Sequence, residues 1–159
     1  MVFEINENGV LTKYTGMATE VTIPHGVTRI GESAFRDCKS LTNITIPDNV
    51  TEIGKSAFEN CRNLASIMIS GSVTRIGDEV FYGCESLTNI HVSDKNKNFC
   101  SCEGVLYNKD MTLLVKCPAK QKTEFIVPDS VTSIGDSAFR GCKILTTITI
   151  PDRETILGE

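Results

Sequence analysis

The sequence predicts a mainly β, or α/β, solenoid in which the chain winds as stacked coils around one continuous core. Three observations predict it. First, the chain repeats itself with a period of 23 residues, so that VTIPHGVTRIGESAFRDCKSLTNIT from Val21 realigns on the stretches starting at Ile44 and Ile67, and again from Ile126. Second, single columns run down the repeats: Ile30, Ile53, Ile76 and Ile134; Phe35, Phe58, Phe81 and Phe139; Cys38, Cys61, Cys84 and Cys142; Leu41, Leu64, Leu87 and Leu145. Third, 159 residues with 40% hydrophobic and 23% charged side chains suit one globular domain and exclude a disordered or collagen-like chain.

Taken in order, residues 1–17 read as an N-terminal capping hairpin turned at Asn8-Gly9, a dipeptide that favours tight turns. Residues 18–92 hold the regular repeats. Within one of them, Leu41 to Ile46 alternates so that Ile44 and Ile46 face one way while Asn43 and Thr45 face the other, the pattern of a half-buried strand. Pro47 ends it, because proline has no amide to give a ladder. Val50 to Ile53 forms a second short extended piece. Gly54 is expected to supply a permissive turn, and Ser56 is placed to cap a short helical or 3₁₀ turn through Ala57 and Phe58. One such unit cannot bury its Ile, Phe and Leu alone. Units stacked at about 4.8 Å per rung bury one another's columns.

Residues 93–121 interrupt the period, so the step from Val92 to Val127 is 35 residues. They read as an inserted hairpin with strands near Val105–Tyr107 and Thr112–Val115, joined through Asn108-Lys109-Asp110; its EGVL (Glu103–Leu106) echoes NGVL (Asn8–Leu11). Residues 122–159 hold the final repeat and an incomplete C-terminal unit. There PDRETILGE stays in register with PDNVTEIGK, which leaves two alternatives, a tail folded over the last rung or two chains associated weakly end to end.

The unit LxxIxIPxxVTxIGxSAFxxCxx resembles the BspA-like subfamily of leucine-rich repeats over about residues 18 to 158. The resemblance implies a right-handed leucine-rich-repeat solenoid with a parallel concave sheet. It also implies adhesion to proteins of a host or neighbouring cell, and a bacterial cell-surface or extracellular location.

Composition narrows the function independently. The net charge of -4 argues against a nucleic-acid partner, which wants a basic face. No apolar run reaches the ~18 to 20 residues that span a bilayer, so membrane insertion is not expected. The amino terminus lacks a basic region followed by an apolar stretch, which keeps a cytoplasmic location as the alternative.

No arrangement of residues points to catalysis, a metal or a cofactor. His25 and His91 have no Ser, Cys or carboxylate placed to complete a triad, so the chain is read as a non-enzyme. The run Asp94 to Asn98 begins like a calcium loop but has Phe99 at position six and Val105 at position twelve, so it is read as a polar turn. A column strings its thiols along the axis and does not converge them on a metal, so Cys38, Cys61, Cys84 and Cys142 are read as buried packing thiols; Cys117 lies within reach of a disulfide to Cys100 or Cys102. Positions 29, 52 and 75 (Arg, Glu, Arg) and 32, 55 and 78 (Glu, Lys, Asp) alternate in sign from rung to rung, a pattern that sets neighbour order.

What remains is the outward ladder of six strands: Glu20 and Thr22, Asn43 and Thr45, Ser66 and Met68, Asn89 and His91, Glu124 and Ile126, Thr147 and Thr149. Its chemistry varies while the buried columns stay constant, the mark expected of a protein-recognition face. A structural spacer in a larger surface protein and a glycan-binding face are the alternatives.

Overall fold

The computed structural model describes residues 2–152 and 154–159. The chain opens with an antiparallel hairpin, β1 (Phe3–Ile5) and β2 (Val10–Tyr14). Three coils follow, each a longer strand and a two-residue strand: β3 (Glu20–Thr22) with β4 (Arg29–Ile30), β5 (Asn43–Ile46) with β6 (Glu52–Ile53), and β7 (Ser66–Ile69) with β8 (Arg75–Ile76). The fourth coil is interrupted: β9 (Asn89–Val92), then β10 (Phe99–Cys102) and β11 (Val105–Asn108), then β12 (Leu113–Lys116). The fifth has β13 (Glu124–Ile126) and β14 (Ser133–Ile134), and a last partial coil has β15 (Thr147–Thr149) and β16 (Ile156–Leu157).

Longer strands stack in parallel as β3-β5-β7-β9, and short strands as β2-β4-β6-β8 with β1 at the edge. Beyond the insertion the stack resumes as β13-β15 and as β12-β14-β16. Between them a coil turns one corner through a run of tight turns, with no helix among the described residues. In the second coil, Glu59 N–H donates to Ser56 O and Cys61 N–H to Phe58 O, while the alternate amides of Ser56, Phe58 and Asn60 donate across to Asp78, Val80 and Tyr82 of the next coil.

This changes two residue roles. Ser56 takes φ 53° and Asn60 φ 59°, so Ser56 is not a helix cap; it bends the chain so that every second amide points at the neighbouring coil. Gly54 is not at positive φ. A Cβ there would lie 2.8 Å from backbone atoms of Gly31 and Glu32, and one on Gly77 would lie 2.5 Å from the amide nitrogen of Lys55. The glycine column exists because consecutive coils touch there, backbone to backbone.

Apolar columns fill the interior as two clusters. The larger runs from Leu11 to Val92 and carries an aromatic spine, Tyr14 to Phe35 (5.2 Å between centroids), Phe35 to Phe58 (5.1 Å) and Phe58 to Phe81 (6.2 Å). The hairpin thus closes the amino end by adding Tyr14, and behind it Phe3, to the Phe column. The smaller cluster holds Phe125, Val127, Val131 and Ile134.

The inserted hairpin joins the two. It has a strand the sequence did not suggest, β10, paired to β11 through a two-residue turn in which Glu103 (φ 51°) and Gly104 (φ 81°) are both left-handed. β11 is buried on both faces: Leu106 enters the larger cluster, while Val105 and Tyr107 enter the smaller one. The insertion is therefore a partition within the core.

Candidate functional site

The parallel register lines up the outward side chains in two columns. Glu20, Asn43, Ser66 and Asn89 are successive partners, and so are Thr22, Thr45, Met68 and His91. Met68 and His91 are direct neighbours on adjacent strands, both exposed. The first column is tied by the Ser66 hydroxyl, which donates to Asn43 Oδ1 at 2.6 Å. Beneath the ladder lie Ile44, Ile67 and Ile90, all buried, so the backbone holding the face is held rigid by the core.

The remaining four residues sit apart. Glu124 pairs with Thr147 and Ile126 with Thr149 in the separate sheet β13-β15. The six strands expected to form one ladder are thus divided four and two. The cause is at β9, whose outer edge is taken by the insertion: Ile90 N–H donates to Gly104 O (2.9 Å) and Val92 N–H to Ser101 Oγ (3.0 Å). Gly104 also packs on Asn89, which is half-buried as a result.

A residue that sequence reasoning passed over as part of a polar turn is Asn96. It is fully buried; its amide donates to Ser70 O and Val73 O, each at 2.9 Å, and its Oδ1 accepts from Asn98 N–H and Phe99 N–H, each at 2.8 Å. Asn49 holds the preceding loop through His25 O and Val27 O in the same way. The available signal was an Asn a few residues past β5 and past β9.

The repeat cysteines are thiols that donate to the backbone of the coil before: Cys61 Sγ to Phe35 O (3.0 Å), Cys84 Sγ to Phe58 O (3.1 Å) and Cys142 Sγ to Cys117 O (3.4 Å). All seven cysteines are free, including Cys100, Cys102 and Cys117. Burial pushes the Cys84 thiol up to about 12. Cys142 goes the other way, down to about 7, because the Cys117 thiol bonds to it and the Lys116 ammonium is close by. Cys61 and Cys84 are buried, whereas Cys38 and Cys142, at the two ends of the column, are partly exposed. Among the described residues, no three His, Cys, Asp or Glu side chains are grouped to hold a metal ion.

This geometry, coils of 23 residues with stacked Phe, Cys and Gly columns, is matched by a family model for the BspA type leucine rich repeat region, in 6 copies over residues 12–111 and 117–159. The chain belongs to the BspA-type leucine-rich repeat family. Several solved bacterial repeat structures share the fold. A leucine-rich repeat protein from Eubacterium ventriosum is 28% identical, with a TM-score of 0.61, over 96% of this chain and 56% of that one. The pneumococcal vaccine antigen PcpA is 20% identical with a TM-score of 0.65, over 98% and 50%, and the T. pallidum leucine rich repeat protein TpLRR is 21% identical with 0.61, over 98% and 82%. This BspA-type chain spans about half the length of the first two. No curated protein matches it.

Proposed function

We propose that this chain is a protein-recognition module of a bacterial surface protein, and that it binds through the sheet β3-β5-β7-β9. The observation that carries the reading is the contrast across each strand. The inward residues of that sheet are Val and Ile throughout, whereas the outward columns pass from Thr to Met to His and from Glu to Asn to Ser on a continuous parallel ladder. Family membership and the bacterial repeat proteins that share the fold support both the class of activity and the surface location.

The centre of the contact is Met68 with His91. A flexible thioether adapts to an irregular protein surface, and interface energy concentrates in a few central residues. Replacing both by alanine is expected to weaken binding to a partner by more than ~1 kcal/mol without moving the melting temperature. Glu59→Ala and Lys143→Ala, away from that sheet, are expected to leave affinity unchanged. Partner capture from host-cell surface extract, followed by calorimetry with the purified partner, makes the measurement. Binding that ignores Met68 and His91 rejects the sheet as the site; binding only to oligosaccharide moves the reading to a glycan receptor; no saturable binding leaves a spacer.

In the same reading the exposed Ile148 and Ile150 meet a second copy end to end in a weak homodimer. A sedimentation coefficient that stays constant from low to high micromolar concentration removes that contact.

A further inference from the structure

Each corner of the solenoid carries a fixed set of hydrogen bonds between neighbouring coils. From the first coil to the second, Thr28 O and Ile30 O accept from Thr51 N–H and Gly54 N–H, while Ser33 N–H and Phe35 N–H donate to Lys55 O and Ala57 O. From the second to the third, Thr51 O and Ile53 O accept from Thr74 and Gly77, and Ser56 and Phe58 donate to Asp78 and Val80. The third coil presents the same four groups on its far side, and there the set stops. Among the described residues nothing donates to Thr74 O or Ile76 O, and nothing accepts from Glu79 N–H or Phe81 N–H.

The fourth coil leaves them bare for two reasons: the edge of β12 that would meet β8 is paired with β11, and beyond β12 the chain cuts the corner. By hydrogen bonding, Cys117 stands where Phe35 stands in the first coil, since its amide donates to Ala138 O as that of Phe35 donates to Ala57 O. From the short strand to that position, Ile53 takes five residues to reach Phe58; Leu114 takes three to reach Cys117. No Cα of β8 comes within 8 Å of β11, β12 or β14. What remains is a cleft of about 210 Å³ walled by residues 76–82 of the third coil and 135–137 of the fifth, lined also by Leu106, Leu113, Val115 and Lys116, whose ammonium is tied to Ser137 O and Arg140 O. Arg140 of the fifth coil closes one end, reaching Glu79 at 2.7 Å and lying over the Tyr82 ring at 4.4 Å. Two coils one rung removed from contact are separated by about 9.6 Å, which admits one extended strand.

We propose that this cleft is a peptide-binding site, in which an extended segment of another protein supplies the missing corner by adding to the free edge of β8. Backbone pairing gives such a site its affinity, and side chains give it selectivity. The segment donates to Thr74 O and Ile76 O, accepts from Glu79 N–H and Phe81 N–H, and sets an apolar side chain against Leu106, Leu113 and Val115. Charge chooses its sequence: Arg75 and Asp78 head the alternating columns, so the segment carries an acid beside Arg75 and a base beside Asp78, separated by an apolar residue and a glycine. A folded second copy cannot supply it. The one stretch of this chain with that pattern, residues 50–57 (VTEIGKSA), is itself built into the second coil.

Two synthetic octapeptides test the proposal on the intact protein. VTEIGKSA places opposite charges against Arg75 and Asp78; VTRIGESA, the sequence of residues 27–34, has the same apolar content and glycine but places like charges there. VTEIGKSA is expected to bind at least about threefold more tightly than VTRIGESA, two exposed pairs being the only difference. It is also expected to slow hydrogen exchange at the Glu79 and Phe81 amides about tenfold while leaving exchange at Ser56 unchanged. Asp78→Lys is expected to erase the preference, and because Asp78 is exposed the substitution leaves the core alone. Equal binding of the two peptides, no binding of either, unchanged exchange at Glu79 and Phe81, or protection of those amides by self-association without peptide would each overturn it.

Discussion

The second coil and the fifth carry nearly the same sequence, yet they are differently buried. GKSAFENC (54–61) and GDSAFRGC (135–142) keep the Gly, Ser, Ala, Phe and Cys columns. In the second coil Phe58, Cys61 and Leu64 are fully enclosed, with a stacked ring on either side of Phe58. In the fifth, Phe139, Cys142 and Leu145 are only partly buried, and Phe139 meets a single ring, Phe125, edge-on at 5.5 Å. A column residue therefore has no fixed energetic weight. Its burial is a property of the coils above and below it, as expected of a fold whose stability is a sum over neighbouring units.

The largest effect that tests this difference lies in the Phe column. Phe58→Ala removes a ring stacked between two others and is expected to cost about 3–5 kcal/mol. Phe139→Ala, at the same repeat position, is expected to cost under half of that, because the surroundings of a half-exposed ring relax and part of its surface already meets water. Chemical denaturation of the two variants makes the comparison. Equal losses would mean that the columns act alone and that neighbour stacking contributes little.

The glycine column gives a smaller contrast. A Cβ on Gly54 lies 2.8 Å from backbone of the coil before, which cannot move without breaking the ladder, so Gly54→Ala is expected to cost about 1–3 kcal/mol as an overpacked site. At Gly135 the nearest atom is Leu114 O at 3.2 Å, a few tenths of an ångström from ordinary contact, and Gly135→Ala is expected to cost less than ~1 kcal/mol. Melting temperatures that rank the two variants the other way would place the close approach of coils at the wrong end of the molecule.

The regular coils were legible in the sequence because every coil solves the same packing problem, so Ile, Phe, Cys and Leu recur wherever a neighbour must be met. The two columns of the outward ladder were legible for the same reason: alternation along a strand assigns Thr45 and Met68 to one face as soon as Ile44 and Ile67 are assigned to the other. The departure at residues 93–121 was legible as an inserted hairpin with β11 and β12, but its first strand was not. Glu103 at positive φ carries no signal in its residue type, so the tight turn that creates β10 was hidden, and with it the division of the ladder between β9 and β13. Gly54 was misread because a glycine needed for space looks the same in sequence as one needed for a turn. The cut corner between Leu114 and Cys117 is visible only once hydrogen bonds show that Cys117 occupies a Phe position.

The smallest effect separates the thiols. Cys84 is buried and its thiol is pushed up to about 12, so it should stay unmodified by iodoacetamide until the protein unfolds. Cys142 is partly exposed and held down to about 7 by the Cys117 thiol and by Lys116, so it should react in the folded protein with a rate that rises through pH 7. The linkage to stability has the matching sign. Because Cys142 is lowered in the fold from its ordinary value near 9, its contribution is fully present above pH 9 and is lost as pH falls through 7. Cys117, raised by the same bond and by burial, acts oppositely, its contribution declining once the unfolded thiol ionises above about 9. The thiol pair should therefore give a melting temperature that climbs between pH 7 and 9 and then falls, and Cys142→Ser should flatten the climb while leaving the melting curve below pH 7 in place. Alkylation of Cys84 in the folded protein at the same rate as Cys142 would show that the second and third coils open as readily as the fifth, and the contrast between the two regions would fail.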